Sequence, residues 1–314
     1  MTLQQLNYVV KISETKSMNK AAKKLYVTQS ALSSTIKALE DELGAQIFIR
    51  TNRGMVLTAD GEKLLSYARQ IVRLSDMISE DFSSERSKKR FSVSTQHYSF
   101  AVAAFVKLAS ELSLSSYELS VSETKTADII ENVRGLRSDL GIMYIDEFNR
   151  APMMKTLKEN ELEFVPVVDC PVYVFVSKDH PLAGKERISF EELSDYPCLA
   201  FDQGENNAFY FSEEVFSTKK YQQIIKACDR ATMIELMIGL NGYTLGSGIL
   251  VNDVSDTRFV AVPFDSDDVM TIGYIHRRDL PLSDLAVRYL ELLRAECEKK
   301  GASVTVLEKF SDLM

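Results

Sequence analysis

The hydrophobic pattern opens on three short helices. Leu3, Leu6, Val9, Val10 and Ser13 follow helical spacing and form one apolar face. Ser17 is placed to cap a second helix over 18–25, whose Ala21 and Ala22 are small enough for close helix packing. Tyr26 and Val27 make the turn. Thr28 caps a third helix that runs to Leu43, and Gly44 stands where a glycine ends a helix. In this helix Leu32, Ile36, Leu39 and Leu43 form one buried stripe, and Gln29, Ser30, Ser33, Ser34 and Lys37 form the opposite one. Two short strands follow, 46–50 and 55–57, with Thr51-Asn52-Arg53-Gly54 as the turn between them. Thr58 or Asp60 then caps a long helix over about 62–84. Leu64, Ala68, Ile71, Ser75, Ile78 and Phe82 alternate spacings of 4 and 3, a heptad seam supported by Leu65 and Val72. Such a stripe on one exposed helix predicts a dimerisation helix. The polar, basic run 83–90 is the best linker in the chain.

From residue 91 the pattern changes to alternating strands and helices. Strands are expected at 91–94, 117–121 and 140–144, with helices at 101–112 and 128–136 between them. Further strands fall at 163–168, 171–176, 198–201, 243–245, 259–262 and 270–275. A short capped helix is expected at 189–193, another at 231–240, and a long terminal one at 283–300 capped by Ser283. Strand–helix–strand alternation predicts an α/β body with a parallel sheet covered on both faces. The implied organisation is 1–62, a linker and dimerisation segment 63–90, a body 91–300 and a tail 301–314.

Composition then bounds the chemistry. A chain of 314 residues, 45% apolar and 26% charged, has ordinary globular values and room for about two domains. The net charge of −8 argues against a nucleic-acid partner until it is divided. The first ninety residues carry 15 basic and 10 acidic side chains, and the remainder 22 and 35. A basic head on an acidic body is the asymmetry of a polyanion-binding module joined to something else. Cys170, Cys198, Cys228 and Cys297 are too sparse for a disulfide scaffold and are expected to be buried, reduced thiols. No basic n-region with an apolar core opens the chain, and no run reaches the roughly 18 apolar residues of a spanning helix, so a cytoplasmic protein without a membrane partner is expected. His97, His180 and His276 are scattered, and no phosphate-loop, metal-ligand or nucleophile–base motif appears. No enzyme activity, cofactor or metal site is therefore expected.

The third helix carries the chemistry of the head. Short donors and acceptors crowd its N-terminal half, as a helix entering the major groove requires. Gln can pair with adenine, Ser can donate or accept, and Lys can reach guanine or phosphate. Two helices joined by a tight turn, the second reading bases, make a helix-turn-helix. The hairpin completes a wing, whose Arg50 and Arg53 can enter a narrow minor groove or clamp a phosphate. The candidate DNA-binding residues are thus Thr28, Gln29, Ser30, Ser33, Ser34, Lys37, Arg50 and Arg53. Leu64, Ala68, Ile71, Ile78 and Phe82 are the candidate dimer contacts.

Residues 1–62 resemble the winged helix-turn-helix of LysR-type transcriptional regulators. The segments Leu6-Asn7-Tyr8-Val9-Val10, Ser17 to Leu25, Thr28-Gln29-Ser30-Ala31-Leu32-Ser33, Ile36 to Gly44, Ile47-Phe48-Ile49-Arg50 and Leu57-Thr58-Ala59-Asp60-Gly61 carry the resemblance. Ser30 and Ser34 depart from the family's usual Pro and Arg or Gln. Residues 172–200 resemble the family's co-inducer domain, which looks like a periplasmic binding protein. The resemblance implies two lobes, 91–161 plus 266–300 and 162–265, with crossings near Glu161 and Asp265. It also implies double-stranded DNA and a small-molecule effector as partners. A homodimer that pairs into a homotetramer is implied, with RNA polymerase as a further candidate partner. Ligands of open α/β sheets sit at the carboxyl ends of strands, and Thr95, Ser99, Thr124 and Phe201 lie in such loops. The alternative input is a redox switch, for which Cys198 and Cys228 form the pair to test.

Overall fold

The computed structural model describes residues 1–52, 54–82, 89–112, 116–204, 208–249 and 258–298, and the backbone of 305–306; of 77 and 79–82 it describes the backbone alone. The chain divides into two compact units, Met1–Ser87 and Lys88–Met314.

In the head, α1 (Leu3–Thr15) starts at a reciprocal cap: the Gln5 amide donates to Thr2 Oγ1 (3.2 Å) and the Thr2 amide to Gln5 Oε1 (2.7 Å). Ser17 caps α2 (Met18–Lys24) and Thr28 caps α3 (Gln29–Leu43), which ends on left-handed Gly44 (φ 64°). The Ser and Thr pattern places these starts because a side-chain oxygen there takes up an amide that has no partner inside the helix. Leu32, Ile36 and Leu39 are buried with Val9, Ile12, Ala21 and Ala22. Leu43 is not part of that stripe. It is 42% exposed, because the helix runs past the core before it ends at Gly44.

The wing is β1 (Phe48–Thr51) paired antiparallel with β2 (Gly54–Leu57), Thr51 facing Gly54. Two contacts hold it to the helices. The Glu40 carboxylate of α3 accepts the amides of Ile47 (2.7 Å) and Phe48 (3.1 Å). The Met55 amide donates to the carbonyl of Lys16, between α1 and α2 (3.0 Å). Gly54 is required there: its φ is +114°, and a Cβ would lie 2.5 Å from that carbonyl oxygen. Helix α4 (Ala59–Phe82) is capped by Thr58, whose Oγ1 accepts the Gly61 amide (2.9 Å) and donates to the Gln46 carbonyl (2.6 Å).

The body begins with β3 (Lys89–Thr95), α5 (Ser99–Glu111), β4 (Tyr117–Glu123), α6 (Thr126–Arg134), β5 (Leu140–Ile145), α7 (Arg150–Glu159) and β6 (Leu162–Pro171). It continues with β7 (Tyr173–Ser177), β8 (Cys198–Phe201), β9 (Ile224–Ala227), α8 (Arg230–Leu240), β10 (Thr244–Gly246) and β11 (Phe259–Pro263). Last come β12 (Val269–Arg277), α9 (Asp284–Glu298) and the two-residue β13 (Thr305–Val306). The expected strand at 91–94 begins earlier, so Lys89 and Arg90 of the expected linker are strand; residues 83–88 lie outside the described ones.

Lobe one holds a six-stranded sheet in the order β4-β3-β5-β12-β6-β13. The sheet is mixed rather than parallel. β3 pairs parallel with β4 and β5, whereas β12 pairs antiparallel with β5 and β6. This pairing moves one lobe boundary. The crossing expected near Glu161 falls after Pro171, because all of β6 is paired to β12 in the lobe-one sheet. A run of apolar residues cannot by itself say which strand it pairs with. Lobe two holds the antiparallel sheet β10-β7-β11 and the parallel pair β8-β9. The chain returns to lobe one between Pro263 and Val269. Residues 189–193 form turns instead of a helix, with the Ser189 amide and hydroxyl both donating to Glu192. Helix α7 and strand β9 have no counterpart in the expected pattern.

Candidate functional site

Two places in the molecule gather polar groups in a way that packing alone does not require. The first is the outer face of α3. Gln29, Ser30, Ser34 and Lys37 are exposed and Ser33 is half-buried, while the three buried leucine and isoleucine side chains hold the helix from behind. The Thr28 hydroxyl is occupied as the cap: it accepts the Ala31 amide (3.2 Å) and lies 3.1 Å from Ser30 Oγ. Ser34 Oγ donates to the carbonyl of Ala31 (3.0 Å). Arg50 is exposed on β1; Arg53 lies outside the described residues. The face carries no carboxylate at its N-terminal half, so its hydrogen-bonding groups and its one cation present themselves to an anion without opposition. Tyr26, in the turn before it, is 96% exposed at φ 56°, and the hydrophobic pattern had no signal for it.

Helix α4 corrects the expected seam. Ala68 is fully buried, and Leu64 is half-buried and packed into the head's own core beside buried Leu65. They are therefore spent inside one subunit. Ile71 and Ile78 are exposed, Ile78 to 60%, and Tyr67 and Leu74 join them. The outward apolar stripe is Tyr67, Ile71, Leu74 and Ile78, at spacings of 4, 3 and 4. The heptad period was legible; its phase was not, because the first turns of α4 are claimed by α1 and the wing. The Phe82 side chain lies outside the described residues.

The second place is a cavity of about 250 Å³ between the lobes of the body. Lobe one supplies the β3–α5 loop and the first turn of α5, with His97, Tyr98, Ser99 and Phe100. Lobe two supplies Phe175 of β7, Phe201 of β8, Met233 and Met237 of α8, and Phe259 of β11. Glu213, Glu214 and Arg230 also reach it. Of the four expected effector contacts, Ser99 and Phe201 line the cavity. Thr95 and Thr124 do not. Thr95 is fully buried, with Oγ1 lacking a hydrogen-bond partner among the described residues. Thr124 Oγ1 donates to the Asp128 carboxylate of α6 (3.3 Å), as a helix-start residue does.

A ring of buried hydrogen bonds closes the cleft beside the cavity. Gln96 Nε2 donates to Thr126 Oγ1 (2.7 Å), and the Thr126 amide donates to Gln203 Oε1 (3.1 Å). Gln203 Nε2 donates to Glu213 Oε1 (3.0 Å), and Glu213 Oε2 accepts the His97 amide (2.9 Å) and lies 2.8 Å from His97 Nδ1. The His97 ring lies flat on Phe201, centroids 3.7 Å apart at 3°. Arg230 pairs with Glu123, and Lys125 stands 4.0 Å from Asp202, both across the cleft. Glu214 takes the Phe201 amide on Oε1 (2.8 Å) and gives its carbonyl to the Tyr144 hydroxyl (3.2 Å). Burial, reinforced by Glu213, pushes the Glu214 carboxyl up to about 8. Burial likewise raises the Tyr98 and Tyr144 hydroxyls. Glu213 and Glu214 are not among the contacts expected from the sequence. Their signal was an acid pair set inside the aromatic stretch 209–216, since a carboxylate among aromatic core residues needs a reason.

The cysteines are not placed as a switch. Cys198 is buried, its thiol pushed up to about 12 by burial, while Cys228 is exposed rather than buried as expected. β8 and β9 pair with Cys198 opposite Ile224, so Cys228 lies four residues farther along. At about 3.3 Å per residue that is roughly 13 Å, beyond the roughly 7 Å that a disulfide spans. Among the described residues no helix is long and apolar enough to cross a membrane, and no group of three or more His, Cys, Asp or Glu could hold a metal ion.

Both units match known families. The model of the bacterial regulatory helix-turn-helix protein, lysR family, matches residues 3–62, and that of the LysR substrate binding domain matches residues 95–298. The HTH-type transcriptional regulator YbhD of Escherichia coli (strain K12), itself uncharacterized, is 27% identical over 297 residues, covering 93% of this chain and 90% of the relative. Among solved structures, a full-length OxyR variant from Pseudomonas aeruginosa superposes with a TM-score of 0.66 at 21% identity, covering 94% of each chain. CbnR in complex with its target DNA does so with a TM-score of 0.56 at 20% identity, covering 94% of this chain and 100% of that one. At these identities the structural likeness speaks for the fold. The two family matches together span the head and the body, and the chain belongs to the LysR family: it is a DNA-binding transcriptional regulator with an effector-binding domain.

Proposed function

We propose that the regulator reads its operator through the N-terminal half of α3, with Gln29, Ser30, Ser33, Ser34 and Lys37 at the major groove and Thr28 holding the helix start. Arg50 and Arg53 take the flanking backbone or minor groove. The observation that carries this reading is the sorting of α3 into a buried apolar side and an outward polar side free of carboxylates in its first half. A gel shift of the purified protein on its own upstream region tests it. Binding is expected, and its failure at low salt sinks the reading.

Two heads are needed to read two half-sites, and the stripe Tyr67, Ile71, Leu74 and Ile78 is the surface that pairs them. Two dimers then join as a tetramer, and RNA polymerase is met on promoter DNA in the cytoplasm. The double change Ile71→Glu and Ile78→Glu is expected to lower the mass by light scattering; an unchanged assembly removes the stripe from the interface. The effector occupies the cavity between the lobes, with Ser99 and Phe201 among its contacts. It shifts the assembly only by as much as it prefers one arrangement over the other.

A further inference from the structure

The turn that leads into α3 holds a residue that folding does not ask for. Helix α2 closes through two bonds, from the Val27 amide to the Ala22 carbonyl (3.1 Å) and from the Tyr26 amide to the Lys23 carbonyl (3.4 Å). Between them Tyr26 takes the left-handed backbone, φ 56°. Glycine commonly fills that place, since a Cβ is strained there. Helix α3 follows the rule: its end closes by the same kind of bond, from the Ala45 amide to the Glu40 carbonyl (3.2 Å), around Gly44. Tyr26 gains no packing in exchange. It is 96% exposed, while Leu25 and Val27 on either side pack against the head's core. A bulky residue held in a sparsely populated conformation, without packing of its own, serves something outside the fold. Its surroundings indicate what. No Asp or Glu stands between Glu14 and Glu40, and Lys16, Lys20, Lys23, Lys24 and Lys37 within that stretch are exposed. Tyr26 lies near the middle of it, two residues before the cap Thr28 and three before Gln29. A surface of this sign receives an anion. At the edge of a groove the nearest anions are backbone phosphates, which tyrosine hydroxyls contact as neutral donors.

We propose that Tyr26 is a further DNA contact, whose hydroxyl donates to a backbone phosphate beside the groove that Gln29 and its neighbours enter. This rests on the reading that the N-terminal half of α3 enters the major groove. A phosphate contact fixes register but reads no sequence, and a neutral donor releases no counterion.

The test measures fluorescence anisotropy of the full-length protein on a duplex from its own upstream region and on a scrambled duplex, from about 50 to 200 mM salt. Tyr26→Phe keeps the ring and loses the hydroxyl. It is expected to weaken binding to both duplexes alike, by about three- to tenfold, and to keep the wild-type slope of affinity against salt. Tyr26→Gly relieves the backbone and is expected to weaken binding at least as much, with no fall in the thermal unfolding midpoint. Binding unchanged by Tyr26→Phe, a loss confined to the upstream duplex, or a midpoint that falls in Tyr26→Gly overturns the proposal. Gln29→Ala, measured alongside, separates it from the reading on which it rests. If Gln29→Ala leaves the preference for the upstream duplex unmoved, the placement of α3 in the groove falls. If Gln29→Ala lowers that preference and Tyr26→Phe changes nothing, the Tyr26 contact alone falls.

Discussion

The head and the body meet their partners by opposite means. The head turns its candidate DNA contacts outward, those on α3 coming from the stretch 28–37, with exposed Arg50 on β1. The body turns its polar groups inward, and its cavity draws on residues from His97 to Phe259. A polyanion such as DNA is too large to enclose, so it is met by a surface whose donors are short and whose counter-charges are absent. A small molecule has little surface, and only enclosure takes enough of it out of water to bind. The same difference explains where charge is tolerated. Exposed Lys37 needs no partner, whereas buried Glu213 is held by an amide, an imidazole and a carboxamide.

The comparison predicts effects of graded size. Leu32→Ala removes a fully buried side chain at the centre of the head and should cost about 2–5 kcal/mol. Chemical denaturation followed by circular dichroism should show the loss in the head, with the body's transition unmoved. Loss of both transitions together would break the independence of the two units.

The next effect is a pH dependence confined to the body. The Glu214 carboxyl holds its proton in the folded chain up to about 8, against an ordinary value of 4.5. The folded state therefore binds a proton that the unfolded state lacks, and this contribution to stability is present at low pH and lost as pH rises through about 8. Burial sets this, Glu213 adds to it, and the Phe201 amide and Lys226 oppose it; Tyr144, Tyr221 and Cys198 face the same carboxyl. From about pH 5 to 8, wild type should lose up to about 4 kcal/mol relative to Glu214→Gln. Parallel urea curves for the two proteins across that range would show that the buried carboxyl is ionised throughout.

Gln29→Ala should weaken operator binding by about 1–3 kcal/mol and relax base preference at one position, with no change in stability. Fluorescence anisotropy on operator and scrambled duplexes measures both. An equal loss on both duplexes would reassign Gln29 to the backbone. Smallest is Lys125→Ala. Its 4.0 Å contact with Asp202 crosses the cleft but is about one-third exposed on both sides, so less than about 1 kcal/mol is expected from thermal unfolding. A larger loss would mean that the charges at the rim, and not the buried ring of Gln96, Thr126, Gln203 and Glu213, hold the lobes together.

Legibility followed the range of the interactions. The capped starts at Thr2, Ser17 and Thr28 and the end at Gly44 were local, each decided within about four residues, and three of these four could be read directly. Thr2 was the exception, since its partner Gln5 reads as ordinary surface. The body's strands were mostly visible, but not their pairing: β12, late in the chain, slips between β5 and β6 and runs against both. Phase was the third loss. Ala68 fits a heptad seam, yet it is already fully buried within one chain.

The amino-acid sequence alone determined the winged helix-turn-helix, the outward face of α3, the heptad period of α4, the α/β class of the body and the family. Each of these rests on periodicity, caps and turn residues, which act between near neighbours. Only the tertiary structure decided which half of the α4 seam stays exposed, where the chain crosses between lobes, that Cys198 and Cys228 lie at different ends of their strand pair, and that two adjacent glutamates reach the cavity. Those outcomes depend on which surfaces are buried against which, and burial sets both the availability of an apolar side chain and the protonation of a carboxyl.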